Sequence, residues 1–297
     1  LLASNRLQGS LTLILVTVLW GSTFVVIKGA IAQIDPLWLL LIRFSVAGLC
    51  FLPWLRLRPL CLLAGLELGF WLVLGYGTQT IGLLFTTASR SAFISALSVV
   101  VLALLMACSG QVINRLLWIS AFLALGGVGL LSYDGSSPNW GDVWSLGMAL
   151  SYAIYLWRLE HYCQQDVSVN TLAAAQLWGA AAIAGLLVWL NPLQTSLDLS
   201  VETLPWSELL YLGLITTALT TWLQTWGQQW VSALEAAIIF TLEPVWGACF
   251  AYLGLSEQLG LQGWLGAGLI LGGTLLSQLP SFAEDIPAVI GVETQEE

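Results

Sequence analysis

The sequence predicts an all-α membrane protein of ten transmembrane helices, built as two inverted five-helix repeats around a central cavity. Three observations predict it. Of 297 residues, 58% are hydrophobic and only 8% are charged, against about 25% charged in an ordinary soluble domain. Ten apolar runs follow one another, close to the roughly 20 residues a helix needs to cross a bilayer. The second half of the chain also repeats residues of the first. Such a composition excludes a soluble enzyme, a nucleic-acid binder and a disordered scaffold, because it cannot furnish a polar shell.

The first run, 10–31, lacks a small-residue cleavage site and reads as a retained helix. The second, 37–55, follows the turn signal Asp35-Pro36, and the third, 62–85, follows Arg58-Pro59. The fourth, 90–109, stops at Ser109-Gly110, and the fifth, 116–133, runs into the turn from Asp134 to Pro138. The sixth, 140–159, is separated by a short polar stretch from the seventh, 170–190, which ends at Asn191-Pro192. The longest loop, near 191–205, carries Asp198 and Glu202 and reads as a surface connection to the eighth run, 206–228. The ninth, 233–253, and tenth, 262–279, are divided by Gly254 to Gly260. Each run is assigned as a helix, because lipid cannot satisfy an open strand edge.

Basic residues set the orientation. With the N-terminus in the cytoplasm, Arg6, Arg56, Arg58, Arg115 and Arg158 all fall inside, and only Lys28 and Arg90 lie near outer helix ends. Ten spans then place both termini in the cytoplasm, with the protein a multi-pass resident of the cell membrane. Residues 280–297 hold Glu284, Asp285, Glu293, Glu296 and Glu297 without a basic residue and read as an acidic, solvated cytoplasmic tail. The five cysteines are irregularly spaced and mostly inside apolar runs, so they read as small core residues rather than a disulfide or metal framework.

Gln79-Thr80, Gly82, Ala88, Ala92 and Leu97 recur as Gln224-Thr225, Gly227, Ala233, Ala237 and Leu242, all at an offset of 145. Trp118 and Gly126-Gly127 recur one step later as Trp264 and Gly272-Gly273, and Lys28 pairs with Arg158. The repeats are therefore 10–133 and 140–279. Five helices is an odd number, so the second copy enters the membrane from the opposite side. Inverted repeats of this kind build midplane sites that each side reaches in turn, although duplication can also build a channel or a scaffold.

Further residues bring a family into view. Trp20-Gly21-Ser22-Thr23-Phe24 and Lys28 are followed by Pro36, Arg43-Phe44 and Ala47. The second half carries Leu242-Glu243-Pro244-Val245, Gly254-Leu255-Ser256-Glu257, Gly266 and Gly272-Gly273. In order and spacing the chain resembles the EamA-type family of the drug/metabolite transporter superfamily over about 10–279. The resemblance implies ten helices in two inverted halves, both termini cytoplasmic, and transport of small metabolites, often amino acids, without ATP hydrolysis. Two departures stand out. The family's first half usually has a proline where Val99 stands and often a glutamate where Gln111 stands, whereas the second half keeps both as Pro244 and Glu257. The two halves are accordingly expected to bend differently.

Candidate site residues follow from depth and polarity. Glu243 lies in the middle of the ninth run, where a charge costs about 2.5–3.5 kcal/mol unless it faces protein or water. Pro244 cannot donate to the carbonyl of Phe240, which leaves an acceptor beside a carboxylate. That spot suits a cation, an amine or a coupling proton; the alternative is a protonated bridge between helices. Arg43, in the second run, has a fork that matches a carboxylate, and Lys28 and Arg90 map to the same outer half. Three cations could share one vestibule, or the last two could snorkel to the interface. In the eighth run Thr217, Thr221, Gln224 and Gln228 fall on one helical face. Tyr76 and Gln79 occupy the corresponding region of the third run, and Ser98 aligns with Glu243 across the repeat. Uncharged stripes also glue membrane helices together. Trp222 and Trp246 lie close to these groups and could wall a flat or cationic substrate. Gly268 and Gly272, like Gly126, Gly127 and Gly129, read as a close-packing face.

His161 is the only histidine, and neither a metal-binding His pair nor a phosphate-binding loop is present, so no cofactor, metal or enzymatic activity is expected. The net charge of -9 speaks against nucleic acid. The expected partners are the lipid bilayer and a small-molecule substrate, with the protein a monomer or homodimer. The sequence thus reads as a secondary transporter working by alternating access, an exporter of an amino acid or related compound. A non-transporting scaffold and a passive channel are the alternatives.

Overall fold

A computed structural model describes residues 2–132, 137–191, 204–255 and 260–279. The acidic tail, Glu257 and the carboxylates of the 191–205 loop lie outside the described residues. The helices are α1 (Leu2–Gly21), α2 (Thr23–Ala30), α3 (Pro36–Cys50), α4 (Pro59–Gly82), α5 (Ala88–Ala96), α6 (Ser98–Cys108) and α7 (Arg115–Ser132). They continue as α8 (Trp140–Cys163), α9 (Val169–Leu190), α10 (Trp206–Leu210), a π-helical segment Tyr211–Leu219, α11 (Thr220–Gly227), α12 (Ala233–Phe240), α13 (Glu243–Leu255) and α14 (Leu261–Ser277). No strand occurs among the described residues.

Local chemistry sets the ends. The Asp35 carboxylate accepts the Leu37 N–H at 2.8 Å and Pro36 opens α3 at its first turn, where no N–H is needed. Thr87 and Ser168 cap α5 and α9. Asn139 with Asp142, and Ser232 with Glu235, form reciprocal capping boxes at the starts of α8 and α12. Beyond α6, Gly110 takes φ 86°, and the amides of Gly110 and Gln111 turn back onto the carbonyls of Ala107 and Met106.

Taken through their breaks, four helices among the described residues are long and apolar enough to cross a membrane: Ser4–Ala30, Pro59–Gly82, Arg90–Cys108 and Val169–Leu190. Pro36–Cys50, Arg115–Leu131 and Leu261–Ser277 are shorter apolar helices. Their outer faces carry exposed apolar side chains at helical spacing, as in Leu62, Leu66, Phe70 and Leu74 of α4. A surface of that kind is at home in lipid and costly in water.

Several of the expected continuous helices are interrupted. The first run breaks at Ser22, the fourth at Leu97 and the ninth at Thr241-Leu242, while the eighth contains the π segment. Leu97 and Leu242 are repeat-equivalent, so both halves break at the same place although only the second has its proline. The breaks still differ in extent, one residue at Leu97 against two at Thr241-Leu242, where Pro244 follows.

Packing relies on glycines at several crossings. Where α4 meets α9, a Cβ on Gly69 would sit 2.5 Å from the Ala180 nitrogen and one on Gly65 2.6 Å from the Ala175 carbonyl oxygen. Where α7 meets α14, a Cβ on Gly273 would fall 2.7 Å from the Ser120 carbonyl. The expected close-packing pair Gly268 and Gly272 instead faces open space, as does Gly126, while Gly127, Gly266 and Gly273 make the contact. The facing side of α14 is thus set by Gly266 and Gly273, seven residues apart, two turns on one face.

Candidate functional site

The helix breaks converge on a cavity between the two halves. Its lining draws on α1 and α2 (Trp20, Thr23), α3 and α4 (Arg43, Tyr76, Gln79), α8 (Met148, Tyr152), and both broken runs. The broken runs contribute repeat-equivalent positions: Ala92 with Ala237, Ser95 with Phe240, Ala96 with Thr241, and Ser98 with Glu243.

Breaking the ninth run changes the setting of Glu243. It is the first residue of α13 rather than a mid-helix residue, and Pro244 occupies the next position. The amides of Val245 and Trp246 both turn to the Leu242 carbonyl, so a fresh helix N-terminus begins at the cavity wall. That end of a helix favours negative charge. Glu243 lies about 15 Å along the helical rise from the Ala233 start of α12. Its carboxyl has no hydrogen-bond or ion-pair partner among the described residues.

Arg43 is buried and held on one side. Its Nε donates to the Thr217 hydroxyl, and Nη2 donates to the Thr216 carbonyl at 3.1 Å and the Thr216 hydroxyl at 3.2 Å. Its Cζ stands 4.5 Å from the centroid of the Tyr76 ring, which in turn stacks on Phe44 at 5.6 Å. Nη1 makes no hydrogen bond among the described residues. The Tyr76 phenol lies within electrostatic reach of both Arg43 and Glu243, so the two charges flank a single space.

Aromatic rings close the rest. Trp20 meets Tyr152 edge-on at 5.9 Å and Phe240 at 5.0 Å. The Trp20 indole N–H and the Thr23 and Ser95 hydroxyls are buried without a hydrogen-bond partner. Unpaired buried donors are costly in a finished protein and are expected where a ligand completes them. Trp20→Phe should therefore leave thermal stability unchanged or slightly higher while weakening substrate binding about tenfold, the worth of one buried hydrogen bond. Thermal unfolding and substrate titration on the same preparation separate the two effects.

Of the residues the sequence nominates, Arg43, Tyr76, Gln79, Ser98 and Glu243 line the cavity. Thr221, Gln224, Trp222 and Trp246 do not. Gln224 sits behind the wall, accepting from the Tyr152 hydroxyl at 3.1 Å and donating to Gln228 at 3.3 Å. The Thr221 carbonyl accepts from the Thr225 hydroxyl at 2.7 Å, Trp222 donates to Asn170 at 2.8 Å, and Trp246 donates to Thr17 at 3.0 Å. The π segment carries one residue more per turn than an α-helix, which turns Thr217 toward Arg43 and away from the stripe below it. The three-cation vestibule is not assembled either. Lys28 is exposed, Arg90 is paired with Asp142, and Arg158, which the sequence reading set against Lys28, is paired with Glu67 outside the cavity. Sequence reasoning left out Thr23, Met148, Tyr152 and Phe240. One signal was available: Trp20 and Tyr152 stand 132 positions apart, as do Gly9 and Gly141, so the repeat extends into the first run of each half.

Three comparisons bear on this arrangement. The model of the EamA-like transporter family matches the chain twice, over residues 7–133 and 139–279. An uncharacterized transporter of Archaeoglobus fulgidus is 32% identical over 275 residues, which is 90% of this chain and 84% of that one. A biotin transporter of Salmonella typhimurium is 27% identical over 221 residues, covering 70% of this chain and 72% of its own. Among solved structures, one protein crystal structure matches with a TM-score of 0.73 at 14% identity, over 95% of this chain and all of that chain. At that identity the likeness concerns the fold alone.

Proposed function

This chain belongs to the EamA-like transporter family, and on that premise we propose that it is a secondary carrier exporting an amino acid or a related small metabolite by alternating access. The family and the apolar helices make it a multi-pass membrane protein. In our reading ten helices cross the cell membrane as two inverted five-helix repeats, with both termini cytoplasmic. Support for the repeat comes from the equivalent breaks at Leu97 and Leu242 and the equivalent caps at Thr87 and Ser232. The pairing of lining positions between the two broken runs adds to it.

One observation carries the substrate class. A guanidinium with an unengaged Nη1 and a carboxyl without a partner border the same cavity. An amino acid answers both, its carboxylate on Arg43 and its ammonium on Glu243, and an apolar side chain fits against Met148 and Phe240. With no amine in the site, Glu243 is free to take a proton, which gives substrate and proton a shared seat and hence a route to coupling. Gln79 and Ser98 supply further polar contacts, and Trp20 and Thr23 supply donors.

The test is exchange in proteoliposomes of purified protein, using labelled amino acids pooled by side-chain class, with biotin as a separate arm. Saturable counterflow of one pool establishes the carrier and its class. Saturable exchange of biotin alone moves the assignment to a carboxylate without an amine. Flux that fails to saturate indicates a channel, and folded protein without flux in any arm favours the scaffold.

A further inference from the structure

We infer that two ion pairs, Arg90–Asp142 and Arg6–Glu235, are the gates of this carrier, one closing each mouth of the cavity, and that transport breaks them in alternation. The inference rests on the alternating-access reading above and adds the residues that carry the alternation.

Each pair joins one half of the chain to the other. Arg90, in the first turn of α5, donates from Nε and Nη2 to the two carboxylate oxygens of Asp142 in the first turn of α8, both at 2.7 Å. Arg6 on α1 pairs with Glu235 in the first turn of α12. Both pairs are largely withdrawn from solvent, at 13% and 14% side-chain exposure for the first and 18% and 4% for the second. An ion pair at that depth is screened less than a surface pair, and removing one partner leaves the other charge poorly compensated.

One partner of each pair occupies an equivalent position. Arg90 and Glu235 occupy the same repeat position, three residues after the caps Thr87 and Ser232, with their charges exchanged. A close backbone contact accompanies each pair at the same repeat position. Gly141 meets Gly82 beside Asp142, where an added Cβ would lie 2.8 Å from the Gly82 carbonyl oxygen. Gly9 meets Gly227 near Arg6, where a Cβ would lie 3.0 Å from the Gly227 carbonyl oxygen. In both pairs the carboxylate is fixed by its own capping box, Asp142 accepting the Asn139 N–H at 2.9 Å and Glu235 the Ser232 N–H at 3.3 Å.

The unbroken helix α8 places the pairs at opposite mouths. Asp142 lies in its first turn, and Glu160, near its end, accepts from the Ala233 amide and lies close to Glu235. Those two positions are about 27 Å apart at 1.5 Å per residue, close to the roughly 30 Å of a bilayer core. Tyr152, which lines the cavity, falls between them. Both pairs are formed in this structure.

The test reads accessibility from each side of the membrane. In a chain with Cys50, Cys61, Cys108, Cys163 and Cys249 replaced, Ala96→Cys on the cavity wall is labelled by a membrane-impermeant maleimide in right-side-out and inside-out vesicles. Asp142→Asn should raise labelling from one face about tenfold and lower it from the other, and Glu235→Gln should do the reverse, as a shifted two-state population requires. The exchanged pair Arg90→Asp with Asp142→Arg should restore the wild-type pattern, which a merely misfolded variant cannot do. Both substitutions opening the same face, or leaving labelling unchanged, would overturn the assignment, as would failure of the folded exchanged pair to restore it. Opposite shifts in labelling without exchange of any solute would sink the carrier reading and leave the gates standing. Saturable exchange with accessibility indifferent to either pair would do the opposite.

Discussion

The Glu243→Gln protein should exchange substrate about ten- to a hundredfold more slowly than wild type, the loss expected when a charge-assisted contact is reduced to a neutral one. The exchange that remains should no longer vary with pH. Both effects follow from the setting of the carboxyl. It has no partner among the described residues, so removing its charge leaves no structural ion pair broken. It stands at the start of α13 on the cavity wall, so whatever answers the charge comes from the cavity. Glutamine keeps the volume and an acceptor oxygen but cannot carry or release a proton at that oxygen. Glu243→Asp retains the chemistry and should recover part of the flux. Counterflow measured at two pH values, with unfolding followed in the same detergent, decides the matter. Undiminished flux that still responds to pH in Glu243→Gln would remove both the substrate and the coupling role from this residue. Full loss of flux accompanied by loss of fold would make Glu243 a structural group.

The second large effect concerns stability. Gly179→Val should destabilise the fold by about 3 kcal/mol, the upper part of the range for overpacking. A Cβ at Gly179 would run into the Gly65 carbonyl group, which is backbone and has no rotamer in which to retreat. The neighbouring contacts of Gly65 with Ala175 and of Gly69 with Ala180 leave no slack for α9 to slide along α4. Gly272→Val is the matched control, because its added atoms meet open space and should change stability by less than about 0.5 kcal/mol. The two variants alter one helix each by the same chemistry, so a comparison of their unfolding midpoints isolates the crossing. Equal midpoints would show that α4 and α9 can part without cost.

Much of the helical layout was legible because apolar runs and turn chemistry are local. Asp35-Pro36 announces α3, and Ser109-Gly110 marks the end of α6 with a glycine that only the turn requires. Glu243 and Arg43 were legible because a charge inside an apolar run is expensive wherever the chain folds. Apart from the one that Pro244 flags in the ninth run, the breaks were not legible. Leu97 is an ordinary helix former, and only packing between runs shows that the helix restarts there. The π segment was hidden for a related reason: an extra residue in a turn leaves hydrophobic composition untouched while rotating everything that precedes it against everything that follows. That rotation separates Thr217, bound to Arg43, from Gln224, which supports Tyr152 from behind. Tyr152 and Phe240 escaped notice because an aromatic residue in an apolar run looks the same whether it faces lipid, core or cavity.

Helix α8 has one further consequence. It runs unbroken from Trp140 to Cys163 while several of its neighbours are jointed. A stiff beam pivoting near its middle cannot lift both ends in the same sense, so a tilt about Tyr152 that relaxes the Asp142 end presses the Glu160 end inward. The beam would then act as a seesaw, and simultaneous leakage through both mouths would be prevented by leverage, with no signal passing between them.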